Sequence, residues 1–174
     1  MLKRNVMMVS IVAIGMMTSA SLFAATLSHG DKKFLDAAAH AGHTEVEGSK
    51  LAQSKSSSSD VKSFADQMIK DHTKVGDELD QLAASKGVKV PTEPSITQKA
   101  KLKMLGAYSG ANFDKHYAKS IGVEAHEDTV KLFRKASKDV KDPDVKAFAD
   151  KTLPGLEHHL EMAKTLASTT ASAK

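Results

Sequence analysis

The nonapeptide VKSFADQMI at residues 61–69 returns as VKAFADKTL at residues 145–153, with Val, Lys, Phe, Ala and Asp at matching places. Each copy opens an amphipathic run. Each is also preceded by another run that begins at a phenylalanine, Phe34 in one half and Phe113 in the other. A duplicated helix pair buries its apolar faces most readily by packing one pair on the other. The repeat therefore predicts two helical hairpins joined by a connection.

The periodicity of each run supports this. Within residues 61–82 the apolar Val61, Phe64, Ala65, Met68, Val75, Leu79 and Leu82 recur at three- and four-residue steps, which places them on one helical face. Phe34, Ala38, Ala41, Gly48 and Ala52 form a comparable face in the first run, flanked by Leu35, Gly42 and Val46. Aromatic residues are only 5% of the chain, with no Trp and two Tyr. That composition suits small-residue helix packing better than strands that need branched and aromatic side chains. An all-α protein is the expectation.

The boundaries follow from caps and breakers. Ser56–Ser59 ends the first helix, Asp60 is placed as the N-cap of the second, and Gly87 stops it. Residues 88–112 contain Pro91 and Pro94, then room for a short helix over 95–105, then Gly106 and Gly110. They read as a long crossover. A third helix is expected over 113–137, and Asp142 before Pro143 starts a fourth that ends near Leu166. Residues 168–174 lack an apolar stripe and are expected to be a disordered tail.

The first residues are set apart. Lys3 and Arg4 precede an apolar run from Val6 to Met17, followed by small residues ending at Ala24 and Ala25, the pattern of a cleaved secretory signal peptide. Residues 1–25 are assigned to that signal and 26–167 to one domain, with the periplasm as the expected location. An uncleaved anchor is the alternative, weakened by Ser10, Gly15, Thr18, Ser19 and Ser21 in the run. Without Lys3 and Arg4 the formal net charge falls from +4 to +2, and lysines alternate with acids throughout. A nucleic-acid partner is therefore not expected. The absence of cysteine removes disulfides, thiolate metal sites and a Cys nucleophile.

Four polar residues interrupt the apolar faces. Projection at 100° per residue puts Glu45 in the middle of the first face and His72 inside the second. His126 falls within the third arc (Ile121, Gly122, Ala125, Val130, Leu132, Phe133, Ala136), and His159 within the fourth (Val145, Phe148, Leu156, Ala163, Leu166). His40, His43, His116 and His158 point outward. With helices over 31–56, 60–86, 113–138 and 144–167, all four inward residues lie within about 6 Å of the helix midpoints along the axis. One Glu and three His then share a layer whichever way each helix runs.

That donor set suits a divalent transition metal, iron or zinc among them. Glu45, His72, His126 and His159 are the candidate ligands, with Gly42 and Gly48 leaving room beside Glu45. Asp114 and Tyr117, at the edge of the third arc, are candidate hydrogen-bond partners for them. The competing reading is a metal-free buried network in which Glu45 pairs with His72.

Glu45-Val46-Glu47, FADQM with Asp71-His72, Phe113-Asp114-x-x-Tyr117, His126, and Leu153-Pro154 leading to His159 resemble an exported bacterial ferritin-like family of unknown function. Its members are often labelled membrane or outer membrane proteins. The resemblance implies a four-helix ferritin-like bundle in the cell envelope, with two hairpins joined by a long crossover, and implies no established activity. Di-iron ferritins carry Glu-x-x-His on two helices. Here Ile69 and Leu156 stand three residues before His72 and His159, so a mononuclear site is expected instead. The functional expectation is metal binding in stress protection or metal handling. The alternative is a metal-free structural or interaction protein with an envelope partner. Glu45 is the one carboxylate placed in the layer, so two-metal oxidase or peroxidase chemistry ranks below both.

Overall fold

In the computed structural model, residues 27–172 are described, and every regular element among them is helical. The expected signal peptide lies outside these residues. The elements are α1 (His29–Lys55), α2 (Ser59–Ser85), α3 (Ile96–Gly106), α4 (Gly110–Tyr117), α5 (Ala125–Asp139) and α6 (Pro143–Ser172). A π-helical segment, Ala118–Glu124, joins α4 to α5 without a break. No described helix is long and apolar enough to cross a membrane.

Local chemistry sets the ends. Ser28 Oγ accepts from Asp31 N at 3.1 Å to cap α1. Ser58, not the expected Asp60, caps α2, accepting from Val61 N. A serine hydroxyl three residues before that amide sits where the capping bond requires it, and Asp60 falls inside the first turn, where its charge suits the helix dipole. Ser95 and Gln98 form a reciprocal capping box on α3. Asp142 Oδ1 accepts from Asp144 N and Val145 N, so Pro143 opens α6 as the sequence indicates. α6 runs to Ser172, so residues 168–172 are helical where a disordered tail is expected. Thr169, Thr170 and Ser172 hydroxyls donate to carbonyls one turn back, and Thr170 is buried.

α1 packs on α2 and on α5, and α6 packs on α5 and on α2, while α3 lies against α1. Two apolar clusters fill the interior. One contains Val61, Phe64, Met68, Phe113, Tyr117, Ile121 and Leu166, and the other Phe34, Leu35, Leu79, Val130, Phe133 and Phe148. The helices connect them in opposite senses. α1 and α6 run from the Phe34 cluster toward the Phe64 cluster, whereas α2 and the α4–α5 helix run the other way. The 88–109 connection therefore travels the length of the molecule. Val88 and Val90 rest on the first end, and Leu102 and Leu105 on the second.

Buried Asp31 ties α1 to the far hairpin turn, accepting from Lys141 N at 2.8 Å and Asp142 N at 3.2 Å. At two places the chains approach closely through glycine. A Cβ at Gly48 would lie 2.9 Å from Ile121 Cγ1, and one at Gly122 would lie 3.2 Å from Ala163 Cβ.

Candidate metal centre

In all four long helical runs, one polar residue stands between the stretches that feed the two apolar clusters. Glu45 lies between Ala39 and Ala52, His72 between Met68 and Leu79, His126 between Ile121 and Val130, and His159 between Leu156 and Ala163. All four are buried, His126 completely. The expected layer is present, at the join of the clusters.

The π-helical segment aims His126. Buried positions Phe113, Tyr117 and Ile121 advance by four, the next is His126 at a step of five, and Val130 resumes the step of four. A wide turn of this kind absorbs one extra residue without ending the helix. It also rotates the following face, so Thr129 is buried while Ala125 and Leu132, expected inside the arc, are half-exposed.

The three imidazoles form a cluster. Ring centroids are 5.3 Å apart for His72 and His126, 5.2 Å for His72 and His159, and 5.7 Å for His126 and His159. One nitrogen of each lies within 4.8 Å of one nitrogen of the other two, an arrangement that could hold a metal ion. His72 Nε2 and His126 Nε2 are 3.2 Å apart.

The other nitrogens meet oxygens. His126 Nδ1 donates to the carbonyl of Ile121 at 3.1 Å, and His159 Nε2 donates to Asp71 Oδ2 at 3.0 Å. A carbonyl or carboxylate can only accept, so these contacts fix the tautomers. His126 Nε2 and His159 Nδ1 are left bare in the neutral rings. His159 Nδ1 is buried without a partner. His72 Nδ1 lies 3.1 Å from Glu45 Oε2, off the line a hydrogen bond needs, so that oxygen is also unsatisfied. Thr129 Oγ1 donates to Glu45 Oε1 at 3.1 Å.

Glu45 thus stands beside an outer nitrogen of His72 and is not one of the three clustered donors. The room expected beside it is half there. Gly42 faces open space, but Ile121 fills the position above Gly48. Tyr117 and Asp114 form no hydrogen bond with any of the four. Tyr117 Oη pairs with Ser49 Oγ at 2.9 Å, and Asp114 Oδ1 has no partner. The partners the site does use, Asp71 and Thr129, flank the expected residues in sequence. Asp71 precedes His72, and Thr129 follows His126 by one turn.

The surface histidines are less uniform than expected. His158 is exposed, whereas His40 Nδ1 meets Glu93 O at 2.7 Å and His116 stacks on Tyr108.

Burial lowers the pKa of His72 to about 4, against the opposing pull of the Glu45 carboxylate. Burial likewise lowers His159, and its bond to Asp71 resists. For Asp71 burial acts upward, but hydrogen bonds from Gln67 and His159 outweigh it and hold the carboxyl below its usual range. Burial pushes the Tyr117 hydroxyl up. Near neutral pH His72 and His159 are therefore neutral imidazoles, the form that ligates metals.

The model of a family described as Domain of unknown function (DUF4142) matches residues 16–166. Comparisons with curated proteins and with solved structures found no match.

Proposed function

We propose, for a chain that belongs to this family, that the core cluster binds one divalent transition-metal ion, zinc or iron, in an exported ferritin-like bundle. The observation that carries this is the mismatch at His72. With a neutral ring, either its Nε2 lone pair faces the bare His126 Nε2 at 3.2 Å, or its Nδ1 lone pair faces the Glu45 carboxylate at 3.1 Å. One positive charge is missing from the layer. A metal at the bare nitrogens supplies it, and tetrahedral ligands at 2.0–2.1 Å from zinc are about 3.3 Å apart, close to the His72–His126 spacing.

In this reading His72, His126 and His159 are the ligands. Glu45, the Ile121 carbonyl and Asp71 steady their outer nitrogens, the usual support for a metal-bound imidazole, and Glu45 balances charge. The opposed helix directions and the long connection favour the ferritin-like arrangement. The amino-terminal charge and apolar pattern favours export to the periplasm. There the protein would serve metal handling or stress protection.

The test is elemental analysis and zinc or iron titration of protein prepared without a histidine tag, beside His72→Ala and His126→Ala. The expected result is one ion per chain and a raised melting temperature, both lost in the variants. Absence of bound metal with unchanged melting refutes the reading.

The 3.1 Å approach of Glu45 to His72 and the bond of His159 to Asp71 favour a metal-free structural or envelope-interaction role, in which the layer is a buried polar network. That role predicts equal or greater stability when Glu45, His72 and His126 are all replaced by Leu.

A further inference from the structure

The layer is approached from two sides of different character. A cavity of about 420 Å³ bounded by α1, α3 and α5 reaches Glu45 and Thr129 but touches none of the three imidazoles. A second cavity, of about 210 Å³, lies between α2 and α6 and is lined by His72, His159 and Asp71. His126 sits behind them, fully buried near Phe64. At about 210 Å³ the smaller cavity falls below the roughly 300 Å³ at which pockets for organic ligands begin, and suits a small hydrated cation better.

We infer that the α2–α6 opening is the route by which a divalent transition-metal cation enters and leaves the three-histidine cluster, with Asp71 the oxygen donor that adjoins the ligands. The inference rests on the metal reading above and adds the path. Asp71 is half-buried, faces the opening and already holds His159. A cation that meets its carboxylate is therefore one residue from a ligand. Glu78 and Lys151, paired at 2.8 Å, link α2 to α6 along the same opening. An ion pair this exposed holds weakly and separates readily. The larger cavity is lined by Glu45 and by none of the imidazoles.

Gly155 supplies the test, because it lines the α2–α6 opening and a Cβ there meets nothing within 4 Å. Gly155→Trp plugs this opening, and Ala41→Trp plugs the larger cavity. Cobalt(II) uptake by the full chain is followed by stopped-flow visible absorption, and release by adding excess EDTA. Gly155→Trp should slow uptake and release alike by about tenfold or more, with affinity within about twofold of wild type, because a plug raises the barrier without touching a ligand. Ala41→Trp should load at the wild-type rate. Gly155→Leu, a smaller plug measured in parallel, should show the same slowing to a lesser degree and covers poor folding of the Trp variant. Wild-type rates in both Gly155 variants, or slowing by Ala41→Trp alone, overturn the route while leaving the metal site standing. A wild-type chain that takes up no cobalt at equilibrium overturns both.

Discussion

Acidification should weaken the metal-free protein through His72. The unfolded chain protonates His72 near its ordinary value of 6.5, whereas the folded protein resists until about pH 4, because the ring is buried. Between those values the unfolded state binds more protons, so stability falls as pH falls. The full difference of about 2.5 units is worth about 3 kcal/mol, and about 2 kcal/mol of it is already lost between pH 7 and pH 5. Against a typical domain stability of about 5–15 kcal/mol, that loss is large. Urea unfolding with chelator present, followed by circular dichroism at pH 7, 6 and 5, reads it as a midpoint shift on the order of 1 M. His159 contributes in the same direction. His72→Gln isolates the effect, since glutamine does not titrate. The reasoning is refuted if the wild type loses no more stability than His72→Gln over that range.

Three substitutions probe the packing beside the layer and the tie between the hairpins. Gly48→Ala places a methyl 2.9–3.0 Å from three carbons of buried Ile121. Overpacking of about 1–3 kcal/mol should outweigh the roughly 1 kcal/mol that alanine gains in a helix, lowering the melting temperature. Gly42→Ala, which meets nothing, should raise it. Asp31→Ala strands the amides of Lys141 and Asp142. It should cost about 2–4 kcal/mol in denaturant unfolding, and a cost under about 0.5 kcal/mol would show that the turn re-forms its bonds elsewhere.

The inward residues were legible because each breaks a helical stripe, and a histidine among Met68, Val75 and Leu79 can be seen without coordinates. Phe64 and Phe148, equivalent in the repeat, occupy opposite clusters, which follows from α2 and α6 running in opposite directions. What sequence periodicity could not supply was phase. A uniform 100° per residue has no means of registering the five-residue step from Ile121 to His126, so it turns Ala125 and Leu132 inward and Thr129 outward. Asp71 escaped for a related reason. It sits one residue off the stripe of α2, where a carboxylate reads as solvated surface, and only the neighbouring α6 turns it into the partner of His159. Tyr117 was placed on the correct face but points at Ser49, because facing the core does not decide which height along the axis a long side chain serves. The last turn of α6 was missed because Thr and Ser count against a helix until their hydroxyls are seen to bond one turn back.

The position of the layer between two apolar clusters bears on which reading of it is correct. Phe34, Phe133 and Phe148 pack edge-on or tilted at one end, with Phe34 and Phe133 centroids 5.1 Å apart, and Phe64, Phe113 and Tyr117 occupy the other. Each cluster joins residues of several helices at its own end of the bundle. A buried polar layer is then not needed for cohesion, and it costs desolvation at Glu45 and His159, each with an unpartnered atom. If the layer served only structure, leucine at Glu45, His72 and His126 together would remove most of that cost and raise stability. If it serves a metal, the cost is offset on binding, by about 4 kcal/mol at a free ion concentration a thousand times the dissociation constant. The metal-free protein should then be measurably weaker than the loaded one by an amount that grows with the logarithm of ion concentration. A structural network has no such dependence, so melting temperature against zinc concentration separates the two without assuming any activity.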